Sequence, residues 1–198
     1  MVLNDDQIRN RIETQHMIVP AYLKQIKTRL IPTTEDDREI KTISAGVSSF
    51  GYDIMLGSDF KIFTNVNGTI IDPKHFNEDC FVKKTVVWPE TLIIPPNGFV
   101  LAVSAEWWKI PRDIVVVILG KSTYARCGLI INCTPLEPEW EGNITLELTN
   151  STPLPMIVYP GEGIAQAMFH VNPAGCSTSY KDKAGKYQNQ EGLTLPKV

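Results

Sequence analysis

A mainly β fold, a sandwich or barrel in one domain, is predicted by the spacing of apolar segments and turn residues. Between about residues 50 and 170, short runs rich in β-branched and aromatic residues alternate with turn sequences. The 198 residues include 14 prolines and 13 glycines, which favours short strands over a parallel βαβ sheet. The predicted strands cover 59–63, 92–94, 99–103, 114–119, 129–133, 144–148, 156–158 and 165–169.

Two helices are predicted. Asn4 followed three residues later by Gln7 is typical of a capping box, and it precedes a short amino-terminal helix with Ile8 and Ile12 on one face. A single helical turn is predicted over 122–127, directly after an apolar strand. Residues 33–42 are charged and have no apolar periodicity, which predicts an exposed loop.

Composition excludes several classes of protein. A net charge of -3 argues against a surface that coats nucleic acid, which needs a basic excess. No run approaches ~18 apolar residues, so no membrane span is predicted. The amino terminus lacks the basic-then-apolar order of a signal peptide, which predicts a cytoplasmic protein. The four cysteines and three histidines are scattered without ligand spacing, so no zinc site is expected.

The segment 120–128, Gly-Lys-Ser-Thr-Tyr-Ala-Arg-Cys-Gly, follows the apolar strand 114–119. Ser122 is the expected N-cap of the short turn. A helix amino terminus beside Lys121 is suited to bind an anion. Ser122 and Arg126 are four residues apart and would share a face of that turn. The spacing alone, however, favours a capped turn with a solvated arginine.

The segment 142–150 alternates apolar and polar residues, so Glu147 is predicted to point away from its own core. The pattern alone favours a surface carboxylate. The alternative is a general base held on a rigid strand and facing a neighbouring subunit.

Two further segments have open interpretations. The proline-stiffened loop 133–142 could shape the floor of a pocket or simply connect two strands. The tail is polar, and its composition predicts that residues 178–198 are mobile. Its segment 185–192 carries basic, aromatic and amide side chains that could fold over a triphosphate.

Five segments occur in one order along the chain: 120–128, 134–142, 145–147, 163–166 and 186–190. Together they resemble the dCTP deaminases of the dUTPase superfamily, from about Ser44 to the end. The resemblance implies homotrimers of a distorted β-barrel or jelly-roll subunit, with active sites at subunit interfaces. One domain would span 1–198, with 177–198 as a flexible carboxy-terminal lid. The implied reaction converts dCTP and water to dUTP and ammonia without zinc, with magnesium bound through the triphosphate and dTTP as feedback inhibitor.

The resemblance also implies roles for individual residues. Glu147 would be the proton acceptor and donor, while Ser122 and Arg126 would position the water and support the tetrahedral intermediate. The other implied substrate-binding residues are Lys121, Thr123, Tyr124 and Ala125 in the short turn, Thr145 and Leu146 beside the base, and Gln166, Tyr180, Lys186 and Gln190 at the phosphates or in the lid.

Two alternatives remain open. A bifunctional dCTP deaminase and dUTPase would also release dUMP and pyrophosphate. Trimeric dUTPases typically carry an Asp and a Tyr in their third motif, and 137–141 reads Glu-Pro-Glu-Trp-Glu, but bifunctional relatives reuse the deaminase glutamate. A non-catalytic nucleotide sensor on the same barrel is disfavoured, because Glu147 is present together with Ser122 and Arg126.

Overall fold

The computed structural model describes residues 1–31 and 38–197. Besides a short 3-10 helix over Glu78–Cys80, it contains two α-helices and twelve strands in those ranges. In chain order these are α1 (Asp5–Gln15), β1 (Ile18–Val19), β2 (Ile26–Ile31), β3 (Arg38–Ser48), β4 (Gly51–Phe63), β5 (Phe81–Thr85), β6 (Leu92–Ile94), β7 (Phe99–Lys109), β8 (Ile114–Gly120), α2 (Ser122–Ala125), β9 (Leu129–Asn132), β10 (Glu141–Asn150), β11 (Met156–Val158) and β12 (Gly163–Val171).

The strands pair in antiparallel fashion, and the predicted mainly β class is confirmed. The largest sheet runs in the order β2-β3-β4-β7-β10-β9, with β12 joined to β4 and β8 and with β5 on β4. The strands β6 and β11 form a second, two-stranded sheet. None of the helices in the described ranges is long and apolar enough to cross a membrane.

The predicted amino-terminal helix is confirmed together with its cap. The Asn4 side chain accepts a hydrogen bond from the Gln7 backbone N–H at 3.0 Å. The Gln7 side chain accepts one from the Asn4 N–H at 3.1 Å. Both helix residues predicted to face the core, Ile8 and Ile12, are buried. Two otherwise unpaired donors are thus satisfied at the start of α1.

The prediction of an exposed, charged loop over 33–42 is wrong for the second half of that segment. Residues 38–41 form the start of β3 and pair with β2 in a two-stranded ribbon. Residues 33–37 lie outside the described residues. Most of this stretch of β3 is exposed on both faces, so no apolar alternation marks it in the sequence.

Within the described residues, one carboxylate in the core has no cationic partner. Glu106 is 1% exposed, and it accepts hydrogen bonds from the Met55 N–H at 3.0 Å and from the Tyr52 hydroxyl at 3.2 Å. Burial raises the pKa of Glu106 to about 8, because the charged form loses its hydration. The folded state therefore retains a proton that the unfolded chain releases above its ordinary carboxyl pKa.

Stability should consequently fall as pH rises from about 5 through about 8, where Glu106 must ionise in the fold. Glu106→Gln should flatten that part of the profile, because the amide stays neutral. Melting temperatures measured between pH 5 and 9 test this, with the exposed Glu90→Gln as the matched control. Identical profiles for wild type and Glu106→Gln would contradict it.

Candidate active site

The predicted orientation of Glu147 is confirmed by the burial along β10. Ile144, Leu146 and Leu148 are at most 1% exposed, and the alternate residues are half-buried on the opposite face. Glu147 lies opposite Leu101 of β7 and opposite Asn132 of β9. Directly paired residues point to the same side of a sheet, so these three side chains form one row.

The carboxyl group of Glu147 is held by a side chain of the neighbouring strand. The Asn132 amide donates a hydrogen bond to Glu147 Oε2 at 2.9 Å. Burial raises the pKa of Glu147 above the usual carboxyl range, and the bond from Asn132 partly opposes that shift. A carboxylate with a raised pKa is a stronger base and is more readily protonated during a reaction.

Glu147 lines a cleft of about 430 Å³. One wall comes from the predicted proline-stiffened loop, including Leu136, Glu137 and Trp140, so this loop does shape a pocket. Apolar side chains, including Phe81 and Phe99, also line the cleft. The remaining wall is the carboxy-terminal tail, which contributes Tyr180, Tyr187, Gln190, Thr194, Leu195 and Pro196.

The described part of the tail, which composition predicts to be mobile, is packed in the structure. Gln190 is 7% exposed, and its amide donates hydrogen bonds to the Asn143 carbonyl at 2.7 Å and to Thr145 Oγ1 at 2.8 Å. The indole N–H of Trp140 donates to the Tyr187 carbonyl at 3.0 Å. These contacts use backbone and amide groups rather than apolar burial, so composition gives no sign of them.

Gly142 allows the tail to pass beside β10. Its φ of +151° lies in the region that favours glycine, and an added Cβ would lie 2.8 Å from the Gln190 carbonyl oxygen. Any other residue here would push against the tail backbone. The bridge between Gly142 and Gln190 therefore lies three residues before Thr145 on the strand that carries Glu147.

Arg112 anchors the beginning of the tail. Its guanidinium donates to the Ser177 carbonyl at 3.1 Å and to Asp182 Oδ2 at 2.7 Å, and it also forms an ion pair with Glu139. The same side chain therefore joins the tail to the loop that walls the cleft. Sequence reasoning missed Arg112, because its partners are 27 to 70 residues away.

The short turn at 122–127 is confirmed as α2, but its predicted N-cap is wrong. Lys121 occupies the N-cap position without a capping side-chain bond, and Ser122 is the first helical residue. Arg126 Nη1 donates to the Ser122 backbone carbonyl at 3.3 Å, so the guanidinium folds back along the turn without contacting the Ser122 hydroxyl. The side chains of Ser122, Thr123, Ala125 and Arg126 are exposed. Tyr124 is buried, and its hydroxyl accepts from the Tyr159 N–H at 3.1 Å.

Lys121 and Gln166 have partners within the chain. Lys121 Nζ lies 2.6 Å from Asp53 Oδ2, and Asp53 is only 2% exposed. The Gln166 amide donates to Ser48 Oγ at 3.1 Å. Lys121 Nζ and the Gln166 amide each have further N–H donors, so both can keep these bonds and still donate to a nucleotide.

This chain by itself gathers only part of the predicted site. Glu147, Thr145, Tyr180 and Gln190 line the cleft, whereas Ser122, Arg126, Gln166 and Lys186 do not. Leu146 belongs to the core, with no exposed surface. Along β9, α2 precedes Leu129, while Glu147 lies opposite Asn132. The three strand positions from Leu129 to Asn132 therefore separate the end of α2 from Glu147 by ~10 Å along the strand.

Comparison with known proteins decides the family. A family model described as dCTP deaminase-like matches residues 2–171. The chain belongs to the dCTP deaminase family. Proteins named dCTP deaminase from Xanthomonas campestris pv. campestris (strain B100) and Paraburkholderia phymatum are each 50% identical to it. Both alignments cover 100% of this chain, and they cover 100% and 99% of those relatives.

A solved structure agrees with this assignment at the level of fold. The crystal structure of 2'-deoxycytidine 5'-triphosphate deaminase from Agrobacterium tumefaciens matches with a TM-score of 0.59 at 14% sequence identity. The match covers 86% of this chain, which spans 48% of that longer chain. The resemblance to the dCTP deaminase family inferred from the five segments is confirmed.

Several residues in or beside the cleft of this dCTP deaminase family member were not predicted from sequence. Asn132, Trp140 and Tyr187 all contact predicted site residues or their segments. Nothing in the sequence indicated that Asn132 belongs to the site, because a single asparagine at the end of a strand is common. Trp140 and Tyr187 lie inside the segments 134–142 and 186–190. The sequence therefore pointed to these segments but not to the two residues individually.

Proposed function

We propose that this chain hydrolyses dCTP to dUTP and ammonia, with Glu147 as the proton acceptor and donor. The observation that supports it most is the half-buried Glu147 carboxyl on the wall of a cleft, with a raised pKa. The full-length similarity to proteins named dCTP deaminase supplies the substrate. Such a carboxyl can activate a water molecule without zinc.

In the proposed reaction, the water oxygen bonds to C4 of cytosine while one water proton passes to Glu147. Glu147 then gives that proton to N3, which produces a neutral tetrahedral intermediate. The proton of the new C4 hydroxyl passes through Glu147 to the amino nitrogen. The C4–N bond breaks, the nitrogen leaves as ammonia, and C4 becomes the carbonyl of uracil.

Ser122 and Arg126 are proposed to enter this site from a neighbouring subunit. They are exposed on α2 and lie away from the cleft of their own chain, so a homotrimer with sites at its interfaces would bring them to Glu147. There they would position the water and stabilise the intermediate. The rest of the nucleotide would contact Lys121, Thr123, Tyr124, Ala125, Thr145, Leu146, Gln166, Tyr180, Lys186 and Gln190.

Arg126→Ala and Ser122→Ala should each lower kcat more than they raise KM, because their proposed contacts are strongest in the transition state. Neither substitution should remove N-cap stabilisation from α2, since Lys121 occupies the N-cap position. A 1:1 mixture of Arg126→Ala and Glu147→Gln chains, refolded together, should regain about a quarter of wild-type activity through mixed sites. No regain would contradict the shared site.

Magnesium is proposed as part of the substrate. Among residues 1–31 and 38–197, no three His, Cys, Asp or Glu side chains lie together in a way that could hold a metal ion. The cleft carboxylates Glu137 and Glu147 already have partners, Lys183 at 2.7 Å and Asn132. These residues do not fit a resident metal, whereas triphosphate oxygens are ligands that magnesium prefers.

The deciding experiment incubates purified protein with dCTP and magnesium and resolves dUTP, dUMP, pyrophosphate and ammonia. We expect ammonia and dUTP in equal amounts, and inhibition by dTTP at the same site. No ammonia would refute the proposed function, and pyrophosphate with dUMP would favour the bifunctional alternative. The cytoplasmic location and the lid role of 177–198 belong to this same proposal.

A further inference from the structure

The bond between Asn132 and Glu147 joins two strands at the wall of the cleft. Asn132 is the last residue of β9 and lies directly opposite Glu147 in the register of β9 and β10. Buried Leu129 starts the strand, and the Gly128 carbonyl before it accepts from Ser151 N–H at 3.1 Å. The strand pairing therefore holds the Asn132 side chain beside the carboxyl group.

The two oxygens of Glu147 have different surroundings. Oε2 accepts from the Asn132 amide at 2.9 Å. Within residues 1–31 and 38–197, Oε1 receives no hydrogen bond. An amide N–H is a donor only, so it favours negative charge on the oxygen it contacts and leaves the proton to the other.

We propose that Asn132 is a positioning residue for Glu147, whose amide holds Oε2 so that Oε1 exchanges protons with the water and the substrate. This inference rests on the proposed deamination. It adds a residue outside the predicted catalytic set, and it defines which oxygen faces the reacting atoms. A rotating carboxylate would present either oxygen and would lose part of the advantage of a fixed base.

Other groups facing Glu147 would not substitute for Asn132. Leu101 on β7 is apolar, and Lys61 on β4 follows it in the same row, about 10 Å from Glu147 by strand spacing. Burial and the Glu147 charge raise the pKa of Cys133 to about 12, so this thiol stays neutral. Among the remaining cleft groups, Glu137 is paired with Lys183.

The tyrosines of the tail complete the titratable surroundings. The Tyr180 hydroxyl accepts from the Tyr187 N–H at 3.0 Å, and the Tyr187 hydroxyl accepts from the Lys197 N–H at 3.0 Å. Both hydroxyls are therefore engaged by backbone donors of the tail. Asn132 is the side chain through which the ionisation of Glu147 can be changed without altering the tail or the core.

The test compares Asn132→Ala and Asn132→Asp with the wild type. Thr149→Ala is the matched control, because Thr149 shares the outward face of β10 two residues from Glu147. The ionisation of Glu147 is followed by ¹³C NMR in protein labelled at glutamate carboxyl carbons, with Glu147→Gln assigning the signal. Activity against dCTP is measured from pH 5 to 9, and melting temperatures are compared.

Asn132→Ala should move the titration of Glu147 and the acidic limb of kcat/KM to higher pH, because the donor that favours the charged form is lost. Its kcat should fall ~10-fold or more at neutral pH, as expected for the loss of a hydrogen bond to a charged group. Asn132→Asp should move both further, since a second carboxylate replaces the donor. Thr149→Ala should leave both midpoints unchanged.

An unchanged Glu147 titration in Asn132→Ala would overturn the inference, even if Asn132→Asp shifts it, because charge alone would then explain the effect. The inference would also be overturned if the lower melting temperature of Asn132→Ala fully explained its loss of kcat. If the wild type forms no ammonia, the proposed function fails. The NMR titration still decides whether Asn132 sets the ionisation of Glu147.

Discussion

Glu147→Gln should lower kcat for dCTP deamination by ~10²–10⁴-fold, the usual contribution of a general base. Glutamine keeps an oxygen that can accept the bond from Asn132, but it cannot take a proton from water. Burial already disfavours the charged carboxylate, so the variant should be at least as stable as the wild type. Steady-state kinetics, dCTP binding by calorimetry and melting temperature together measure these effects.

Glu141→Gln is the matched control for this variant. Glu141 lies at the start of β10 on the same outward face, where it accepts from the Trp107 indole at 3.1 Å, outside the cleft. It should retain most of the activity. The role assigned to Glu147 is refuted if its glutamine variant keeps more than half of wild-type turnover.

Removing residues 185–198 should reduce kcat/KM for dCTP by on the order of 100-fold or more. The truncation removes Tyr187, Gln190 and the 194–196 segment from the cleft wall. Bulk water would then reach Glu147, and Thr145 would lose its bond from Gln190. The strands and α1 lie outside the deleted segment, so the truncated chain should still fold.

Lys181→Ala controls for a charge change in the tail, because Lys181 is exposed and lies outside the cleft. Gln190→Ala removes only the bonds to Asn143 and Thr145, and it should lose part of the activity. Circular dichroism and melting curves establish folding before the kinetics are compared. A truncated protein with wild-type kcat/KM would show that the tail is not required over the cleft.

Local patterns in the sequence predicted several features correctly. The 2-residue alternation of β10 determined which way Glu147 points, because a strand with one apolar face has only one stable orientation. The Asn4–Gln7 pair predicted the cap of α1, since its bonds lie within one turn. The order of five short segments is enough to show the resemblance to the family that the family model confirms.

Features that depend on distant or polar partners were not predicted. The ribbon of β2 and β3 is charged and exposed, so its pairing left no apolar pattern. The tail looked mobile by composition, yet it packs through amide and backbone bonds near Gly142. The cap at Ser122 was misplaced by one residue, because local spacing did not show that Lys121 occupies the boundary.

The sequence by itself thus determined the mainly β class, the outward orientation of Glu147 and the family to which the chain belongs. Only the tertiary structure decided that Asn132 holds Glu147, that Lys121 pairs with buried Asp53 and that the α2 residues lie away from the cleft. The physical reason is the range of the interactions. Alternation and capping act over two to four residues, whereas hydrogen bonds and ion pairs between elements depend on sheet register, which the whole fold sets.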